Sequence, residues 1–367
     1  MKLVTYALRP EKVDLQPAEL AAGLGPASLS GRAGALHGNI VIDLPVALEW
    51  ARGSEPVTLA RELREGSLPD TLLGLLQSGP GILEGARQIV SALSALPEDR
   101  LLRMEPRLAY PQSEVRLHAP IPEPPSVRDF YAFEQHVKAA RAKRNVGMIP
   151  QWYEIPVFYF SNPAAINGPD EPIAYPRETE WLDYELEIAC VIGKAGKDIP
   201  VEEAAEYIAG YTIMNDWSAR DLQRKEMVLN MGPTKGKDFA TSLGPWLVTP
   251  DELAGKRSGS GKSERYDLTM RARVNGQELS HGNFKDIYFG FPQLIAYASM
   301  NSWLKPGDII GSGTVGTGCI LELIPAEQEA RAPTSGPLTR ECLRWLQRSD
   351  VVELEIDGLG TLSNTIV

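Results

Sequence analysis

The chain has 367 residues, 43% hydrophobic and 23% charged, a composition typical of a soluble globular protein with about two domains. Its 37 basic and 48 acidic residues give a net charge of −11, which argues against a nucleic-acid-binding surface because such surfaces need clustered Lys and Arg. No apolar run reaches the roughly 18 residues of a membrane helix, so we expect a cytoplasmic protein that does not bind a membrane.

A proline-rich connector at residues 119–125 marks the clearest boundary in the chain. Four of the six residues at 120–125 are Pro, which removes backbone donors and excludes a helix. We therefore predict an N-terminal domain over residues 1–118 and a second domain over residues 119–367. In the first domain, residues 3–8 and 39–44 have the pattern of strands. Residues 73–96 have a helical pattern that is interrupted at Gly79-Pro80-Gly81.

Beyond the connector, short β-rich runs alternate with turn signals, and helical stretches are few. The predicted strands are residues 157–160, 184–192, 247–248, 267–274, 308–310, 320–324 and 351–356. The predicted helices are residues 129–144, 201–209 and 291–299. This pattern predicts a mostly β fold of packed sheets with peripheral helices. The three cysteines, Cys190, Cys319 and Cys342, have no metal-ligand spacing and are expected to be reduced thiols of the core.

Two copies of Glu-Leu-Glu-Ile occur in the predicted strands. Side chains in a strand alternate between faces, so Glu185 and Glu187 point the same way. The second copy, residues 353–356, runs into an Asp-Gly turn signal, and a solvated face is the better interpretation there. The first copy continues into the apolar run 189–192, so its carboxylates need a partner if they are buried. For the first copy, a solvated strand face and a metal site are both possible interpretations.

Two further groups of residues have the chemistry of a site. Asp216 follows an apolar run and precedes Trp217, so it is either a cation ligand at a strand end or the N-cap of a helix. Asp129 and His136 are seven residues apart, which would place an oxygen ligand and an imidazole on one helix face. An imidazole can accept a proton near neutral pH, although a lone helix histidine is more often structural.

The glycine-rich segment 311–316 matches the dinucleotide-binding fingerprint letter by letter. That fingerprint requires a following helix within a βαβ unit. Residues 318–324 have a β pattern instead, so we do not predict a nicotinamide site.

From the connector to the C-terminus, the chain resembles the fumarylacetoacetate hydrolase family. The resemblance is carried in order by Asp129-Phe130-Tyr131 with His136, Glu185-Leu186-Glu187, Asn215-Asp216-Trp217-Ser218-Ala219-Arg220-Asp221, Gly236-Lys237-Asp238-Phe239, and Gly313-Thr314 followed by Leu321-Glu322-Leu323. The resemblance implies a fumarylacetoacetate-hydrolase-like mixed β-sheet roll with a smaller N-terminal α+β domain. It also implies a homodimer.

The resemblance implies that Asp129, Glu185, Glu187 and Asp216 hold a divalent cation, with Lys237 and Thr241 bordering the same site. Carboxylate oxygens suit Mg²⁺ best, with Ca²⁺ and Mn²⁺ as alternatives.

The resemblance further implies catalytic roles for His136, Glu322 and Lys237, with His136 as the general base that activates water and Glu322 as its orienting carboxylate. Substrate contacts would come from Tyr131, Arg220, Gln223 and Thr314. The expected activity is metal-dependent hydrolysis of a carbon-carbon bond in a 1,3-dioxo acid, such as an acylpyruvate, in aromatic-compound breakdown. The alternative is a metal-dependent 2-oxo acid decarboxylase or isomerase on the same fold. A non-catalytic metal-binding protein is disfavoured because it would not need an imidazole base.

The chain also departs from the family pattern. Fumarylacetoacetate hydrolase has a substrate-binding tyrosine where this chain has Met227, and the basic segment 137–150 matches poorly. The sequence therefore does not specify fumarylacetoacetate as the substrate.

Overall fold

A computed structural model of the chain describes residues 1–9, 31–52, 69–331 and 336–367. Its strands are β1 (Lys2–Leu8), β2 (Arg32–His37), β3 (Ile40–Asp43), β4 (Ala109–Pro111), β5 (Val115–His118), β6 (Val127–Phe130), β7 (Phe158–Ser161), β8 (Ile166–Asn167), β9 (Leu182–Asp183), β10 (Leu186–Ile192), β11 (Gly196–Lys197), β12 (Ile208–Asp216), β13 (Ser218–Ala219), β14 (Thr241–Val248), β15 (Arg257–Ser258), β16 (Arg265–Tyr266), β17 (Thr269–Val274), β18 (Gln277–Asn283), β19 (Trp303–Leu304), β20 (Ile309–Gly311), β21 (Val351–Ile356) and β22 (Gly360–Thr365).

Short helices connect and cover these strands. The α-helices of the described residues are α1 (Leu44–Arg52), α2 (Leu72–Gln77), α3 (Pro80–Ser94), α4 (Glu98–Leu101), α5 (Glu134–Ala142), α6 (Arg220–Met227), α7 (Phe291–Ser299) and α8 (Ile320–Leu323). The 3₁₀ helices are Gln112–Glu114, Pro150–Tyr153, Ala204–Tyr207, Pro250–Lys256, Gly261–Ser263, Phe284–Asp286 and Ala326–Arg331.

A mixed sheet of 12 strands organises the molecule. Its strands follow one another in the order β4-β3-β2-β1-β14-β12-β10-β20-β6-β7, with β5 beside β1 and β8 beside β14. The β20–β6 and β14–β8 pairs are parallel, and the other neighbours are antiparallel. Hydrogen bonds between β1 and β14 join strands from both sides of the proline-rich connector. The predicted domain boundary there stays a prediction.

Strand β10 lies near the centre of this sheet, and apolar layers cover both of its faces. Ile188 and Cys190 face a core shared with the four-stranded sheet β18-β17-β21-β22. Ala189 and Val191 face a second core that includes the helices of the N-terminal part. Because successive side chains alternate between faces, Glu187 lies on the side of Ala189 and Val191. A carboxylate at this position is therefore buried.

The mostly β architecture with peripheral helices is confirmed. The predicted strand 351–356 and the predicted helix 291–299 have the same bounds in the structure, as β21 and α7. The helical pattern at 73–96 is divided between α2 and α3, with Pro80 in the first turn of α3. The three cysteines are free thiols, two of them buried. Among the described residues, no helix has both the length and the apolar character needed to cross a bilayer.

Three predicted elements were wrong in type or extent. Asp129 lies in β6 rather than in a helix, because pairing with β20 and β7 extends residues 127–130 into the sheet. Residues 201–209 contain only a 3₁₀ helix before β12 begins.

The predicted strand at 320–324 is the short helix α8. The carboxylate of Asp183 accepts the backbone N–H groups of Ile320 and Leu321 at 2.7 and 3.0 Å. These N–H groups have no partner within a helix, and a carboxylate there stabilises the first turn.

Candidate metal and acid–base site

Four carboxylates converge at one end of strands β6, β10 and β12 of the large sheet. Asp129, Glu185, Glu187 and Asp216 are buried, and each contributes an oxygen to a group whose members lie within 4.8 Å of one another. Asp216 is the last residue of β12, and the helix that follows begins at Arg220 without a side-chain cap. The N-cap interpretation of Asp216 was therefore wrong. We call these four side chains the carboxylate cluster.

The glycine-rich segment 311–316 lies beside this cluster. Gly311 lies opposite Asp129 in the β20–β6 pair. A Cβ atom at Gly311 would stand 2.4 Å from Asp129 Oδ1. Gly313 has a positive φ of 77°, and its backbone N–H donates to Glu187 Oε2 at 3.1 Å. Glycine at 311 thus lets β20 lie close to Asp129, and glycine at 313 lets the backbone pass close to Phe130 and Tyr131.

If all four carboxylates were ionised, the cluster would carry more negative charge than its protein surroundings neutralise. Burial and the charge of Asp216 raise the pKa of Asp129 well above its usual range. Burial and the charge of Asp129 do the same to the pKa of Glu187. The pKa of Glu185 is lowered although burial opposes this, because the charges of Lys237 and Arg220 outweigh it.

Two carboxylate oxygens of the cluster, Asp129 Oδ1 and Asp216 Oδ1, are buried without a hydrogen-bond partner. Leaving such oxygens unsatisfied is costly. A divalent cation would satisfy both and offset the charge, and an all-oxygen ligand set fits Mg²⁺, Ca²⁺ or Mn²⁺.

Lys237 contacts the cluster directly, and Thr241 pairs with Asp216 on the neighbouring strand. The Lys237 ammonium donates to Asp216 Oδ2 at 2.6 Å and also to Glu185. An ammonium has no lone pair, so Lys237 contributes charge and is not itself a ligand. Thr241 lies opposite Asp216 in the β12–β14 pair, and its hydroxyl is 3.5 Å from that of Ser161.

His136 stands between the carboxylate cluster and a carboxylate of its own. Its Nδ1 lies 2.7 Å from Glu322 Oε1, and its Nε2 lies 4.0 Å from Glu185 Oε1. The other oxygen of Glu322 accepts the backbone N–H of Thr317 at 2.9 Å. His136 reaches the site from α5 and Glu322 from α8, so the predicted pairing of His136 with Asp129 on one helix face was wrong. A carboxylate on Nδ1 favours the tautomer whose Nε2 lone pair is directed toward the cluster.

The predicted substrate-contacting residues differ in how they are connected to the cluster. Arg220 donates to Glu185 Oε1 at 2.8 Å and to Gln223 Oε1 at 3.1 Å. The Thr314 hydroxyl donates to Glu187 Oε1 at 3.2 Å. Tyr131 directly follows β6, is half-buried, and accepts a hydrogen bond from Trp152 Nε1 with its backbone carbonyl. Arg220, Gln223 and Thr314 are thus joined to the cluster by direct or relayed hydrogen bonds.

Sequence reasoning missed two residues of this region. Asp183 accepts a hydrogen bond from Arg220 Nε at 2.8 Å and also caps α8. Its position two residues before Glu185 gave the same period-two signal as the two glutamates. Tyr159 donates a hydrogen bond to Asp216. Tyr159 lies opposite Asp129 in the β6–β7 pair, a contact that no local pattern indicates.

Comparisons with known proteins show the family to which the chain belongs. Residues 126–367 match the family profile described as fumarylacetoacetate (FAA) hydrolase, C-terminal. Oxaloacetate tautomerase YisK of Bacillus subtilis (strain 168) is 32% identical over 304 residues, which cover 82% of this chain and 87% of that protein. The 2,4-didehydro-3-deoxy-L-rhamnonate hydrolase of Sphingomonas sp. (strain SKA58) is 32% identical over 206 residues, 56% of this chain and 63% of that protein.

A solved structure has a similar fold. The X-ray structure of 5-carboxymethyl-2-hydroxymuconate delta-isomerase from Mycobacterium smegmatis superposes with a TM-score of 0.51 at 32% identity. The match covers 71% of this chain and 82% of that one. Proteins similar to this chain thus include a tautomerase, a hydrolase and an isomerase.

Proposed function

Because the chain belongs to the fumarylacetoacetate hydrolase family, we propose that it is a metal-dependent enzyme that forms the enolate of a small 2-oxo acid and transfers its proton, as in keto–enol tautomerisation. The observation that carries this proposal is the position of His136. One ring nitrogen is held by Glu322 at 2.7 Å, and the other faces the carboxylate cluster 4.0 Å from Glu185. A base is therefore directed at the point where a cation-bound 2-oxo acid would lie.

The carboxylate cluster would hold the cation, with Mg²⁺ as the first expectation. Its unpaired oxygens on Asp129 and Asp216 and its excess negative charge both fit a hard divalent ion. When bound, such an ion supplies positive charge that stabilises negative charge developing on the substrate oxygens. Lys237 and Arg220 add two cationic groups beside the carboxylate cluster.

In the proposed step, His136 Nε2 accepts a proton from the carbon next to a substrate carbonyl. Glu322 keeps Nδ1 protonated and stabilises the imidazolium that results. Returning the proton to the oxygen of the enolate, and not to the carbon, converts the keto form to the enol. The same steps in reverse convert an enol to its keto form. General acid–base catalysis of this kind contributes about 10²- to 10⁴-fold to the rate.

Hydrolysis of a carbon-carbon bond in a 1,3-dioxo acid is the second candidate. There, His136 would remove a proton from water, and the hydroxide would attack a carbonyl. The 32% identity to a hydrolase supports this candidate, whereas the larger share of the tautomerase that the chain matches supports the first. The His136–Glu322 pair does not separate the two, because both reactions need a base.

A substrate panel tests both candidates. Purified protein with Mg²⁺ is given enol-oxaloacetate, fumarylpyruvate, other acylpyruvates and fumarylacetoacetate. Ultraviolet absorbance follows loss of the enol, and NMR identifies cleavage products. We expect enol loss from oxaloacetate to be accelerated without cleavage. Formation of two carboxylic acids from an acylpyruvate would favour hydrolysis, and no Mg²⁺-dependent reaction with any compound would contradict both.

His136→Gln tests the base separately from the cation. We expect turnover to fall about 10²- to 10⁴-fold while Mg²⁺ affinity, measured by calorimetry, is retained. The matched control is His281→Gln, since His281 is exposed and its ring pairs with the exposed side chain of Glu278. Undiminished turnover by His136→Gln would refute the assignment of the base.

Other properties stay predictions. We propose that Tyr131, Arg220, Gln223 and Thr314 contact the substrate, that the protein is a homodimer, and that it acts in the cytoplasm in aromatic-compound breakdown. Analytical ultracentrifugation would test the dimer directly.

A further inference from the structure

A second group of metal-ligating side chains consists of His136 itself, Glu322 and Cys319. Cys319 is fully buried, and its Sγ lies 3.7 Å from Glu322 Oε1. The same oxygen is 2.7 Å from His136 Nδ1. One atom from each of the three residues lies within 4.8 Å of the other two. The proposed reaction uses His136 and Glu322 but gives the thiol no role.

The ligand chemistry of this group differs from that of the carboxylate cluster. A thiolate, an imidazole and one carboxylate form a mixed set that suits Zn²⁺, whereas an all-carboxylate set suits Mg²⁺. The bound state is also balanced in charge: one thiolate and one carboxylate neutralise a divalent ion, and the thiol proton is released to solvent.

The distances from Glu322 Oε1 to the other two atoms are close to what zinc requires. Ligand atoms around a tetrahedral zinc ion are about 3.4 to 3.6 Å apart. The Cys319–Glu322 separation of 3.7 Å already fits. His136 and Glu322 would have to separate by roughly 0.7 Å, exchanging their hydrogen bond for two bonds to the metal. The second oxygen of Glu322 would keep its hydrogen bond from Thr317 N, which fixes the carboxylate in place.

We propose that His136, Cys319 and Glu322 form a second, thiolate-containing site that binds Zn²⁺ and that zinc there switches off the base. A neutral imidazole that binds a metal through Nδ1 carries its proton on Nε2. The nitrogen facing the carboxylate cluster would then have no lone pair with which to accept a proton. The binding site stands on geometry alone, and the inhibitory consequence rests on the proposed function of His136.

Cobalt absorbance tests the site without any turnover. Co²⁺ adopts zinc's geometry and gives a near-ultraviolet charge-transfer band only when a thiolate is a ligand. The full chain is first saturated with Mg²⁺, so that the carboxylate cluster is filled, and is then titrated with Co²⁺. We expect a band that saturates at one equivalent and disappears when Zn²⁺ is added.

Two cysteine variants locate the ligand. Cys319→Ala and Cys319→Ser should lose the band, whereas Cys342→Ser, which removes a half-buried thiol outside the group, should keep it. Circular dichroism shows whether each variant is folded. If Cys319 variants do not fold, a band that persists in both Cys342→Ser and Cys190→Ala leaves Cys319 as its source among the three cysteines. Absence of the band in the Mg²⁺-saturated wild-type protein, or its persistence without Cys319, would overturn the site.

Zinc inhibition tests the consequence. With Mg²⁺ in excess, the zinc concentration that halves turnover should rise at least about tenfold in Cys319→Ala relative to wild type and Cys342→Ser. Inhibition that is equal in all three and is relieved by more Mg²⁺ would mean that zinc acts at the carboxylate cluster, and would overturn the switch. A cobalt band without zinc inhibition would also overturn the switch and count against His136 as the base, while the site itself would stand.

Discussion

The tetrapeptide Glu-Leu-Glu-Ile occurs at residues 185–188 and at 353–356, and the two copies have opposite surroundings. In the first, Glu185 is 4% exposed and Glu187 is fully buried. In the second, the Glu355 side chain is 32% exposed and binds Arg273 at 2.6 Å. The first copy supplies two of the four carboxylates of the candidate metal site. The second copy forms an ordinary ion pair between neighbouring strands.

The difference comes from the sheets, because the tetrapeptide itself is the same. Strand β10 lies between β12 and β20, with apolar cores on both faces. Strand β21 lies in the four-stranded sheet, where only alternate residues are buried. A glutamate on the open face of β21 meets water and arginine. A glutamate on β10 meets other carboxylates. The surrounding side chains supply only part of the positive charge needed to neutralise them, so a bound cation is expected.

Replacing one glutamate by glutamine in each copy should have the most different effects. Glu187→Gln should lower turnover at least about 100-fold and weaken Mg²⁺ binding to a similar degree, because it removes an anionic ligand. The metal-free variant should fold, because the raised pKa of Glu187 already favours its uncharged form. Turnover assays, calorimetric titration with Mg²⁺ and thermal unfolding check these three expectations.

Glu355→Gln is the matched control. It removes a half-exposed ion pair, so we expect a change of at most about 0.5 kcal/mol in the free energy of unfolding and no change in Mg²⁺ affinity. Equal effects of the two substitutions on Mg²⁺ binding would show that the buried copy has no special role.

The second prediction concerns pH. In the metal-free protein, burial raises the pKa of Asp129 and Glu187, so the folded state keeps protons that the unfolded chain releases above about pH 4. The stability that these groups contribute is present at acid pH and is lost as pH rises through their folded pKa values. Glu185 has a lowered pKa, so its contribution is present above about pH 4.3 and is lost only in acid.

Mg²⁺ binding requires Asp129 and Glu187 to be ionised, so the stabilisation by Mg²⁺ should grow with pH. The expected slope is up to about 1.4 kcal/mol per pH unit for each proton released. Denaturant unfolding with and without Mg²⁺ between about pH 5.5 and 8.5 measures it. Glu187→Gln should have a smaller slope, and Glu355→Gln the wild-type slope. Stabilisation by Mg²⁺ that is independent of pH would contradict the buried, proton-retaining cluster.

The elements that were predicted well are those whose pattern is local. Strand 351–356 alternates between half-buried and buried residues, and helix 291–299 has a proline in its first turn. The errors arose where a distant residue decides the local structure. Ile320–Leu323 is a helix because Asp183, 137 residues earlier, accepts its first N–H groups.

The same distinction holds for the candidate site. The carboxylates, His136 and Glu322 could be predicted because their motifs follow one another in the order typical of a family. The contact of Tyr159 with Asp216 depends on β7 lying beside β6 in the sheet. Cys319 was interpreted as a plain core thiol, because its proximity to His136 depends on how α5 and α8 pack. Long-range pairing of this kind leaves no period or spacing in the sequence.

A further substitution tests the glycine beside the first copy. Gly311→Ala should lower the free energy of unfolding by about 1 to 3 kcal/mol and weaken Mg²⁺ binding, because its Cβ would stand 2.4 Å from Asp129 Oδ1. Gly81→Ala, whose Cβ meets nothing within 4 Å, should leave Mg²⁺ binding unchanged. Wild-type Mg²⁺ affinity in Gly311→Ala would mean that Asp129 is free to move. Beside the second copy, the corresponding neighbour is Ala272, which lies opposite Leu354. Its Cβ meets no carboxylate, because the glutamates of that copy point away from the core.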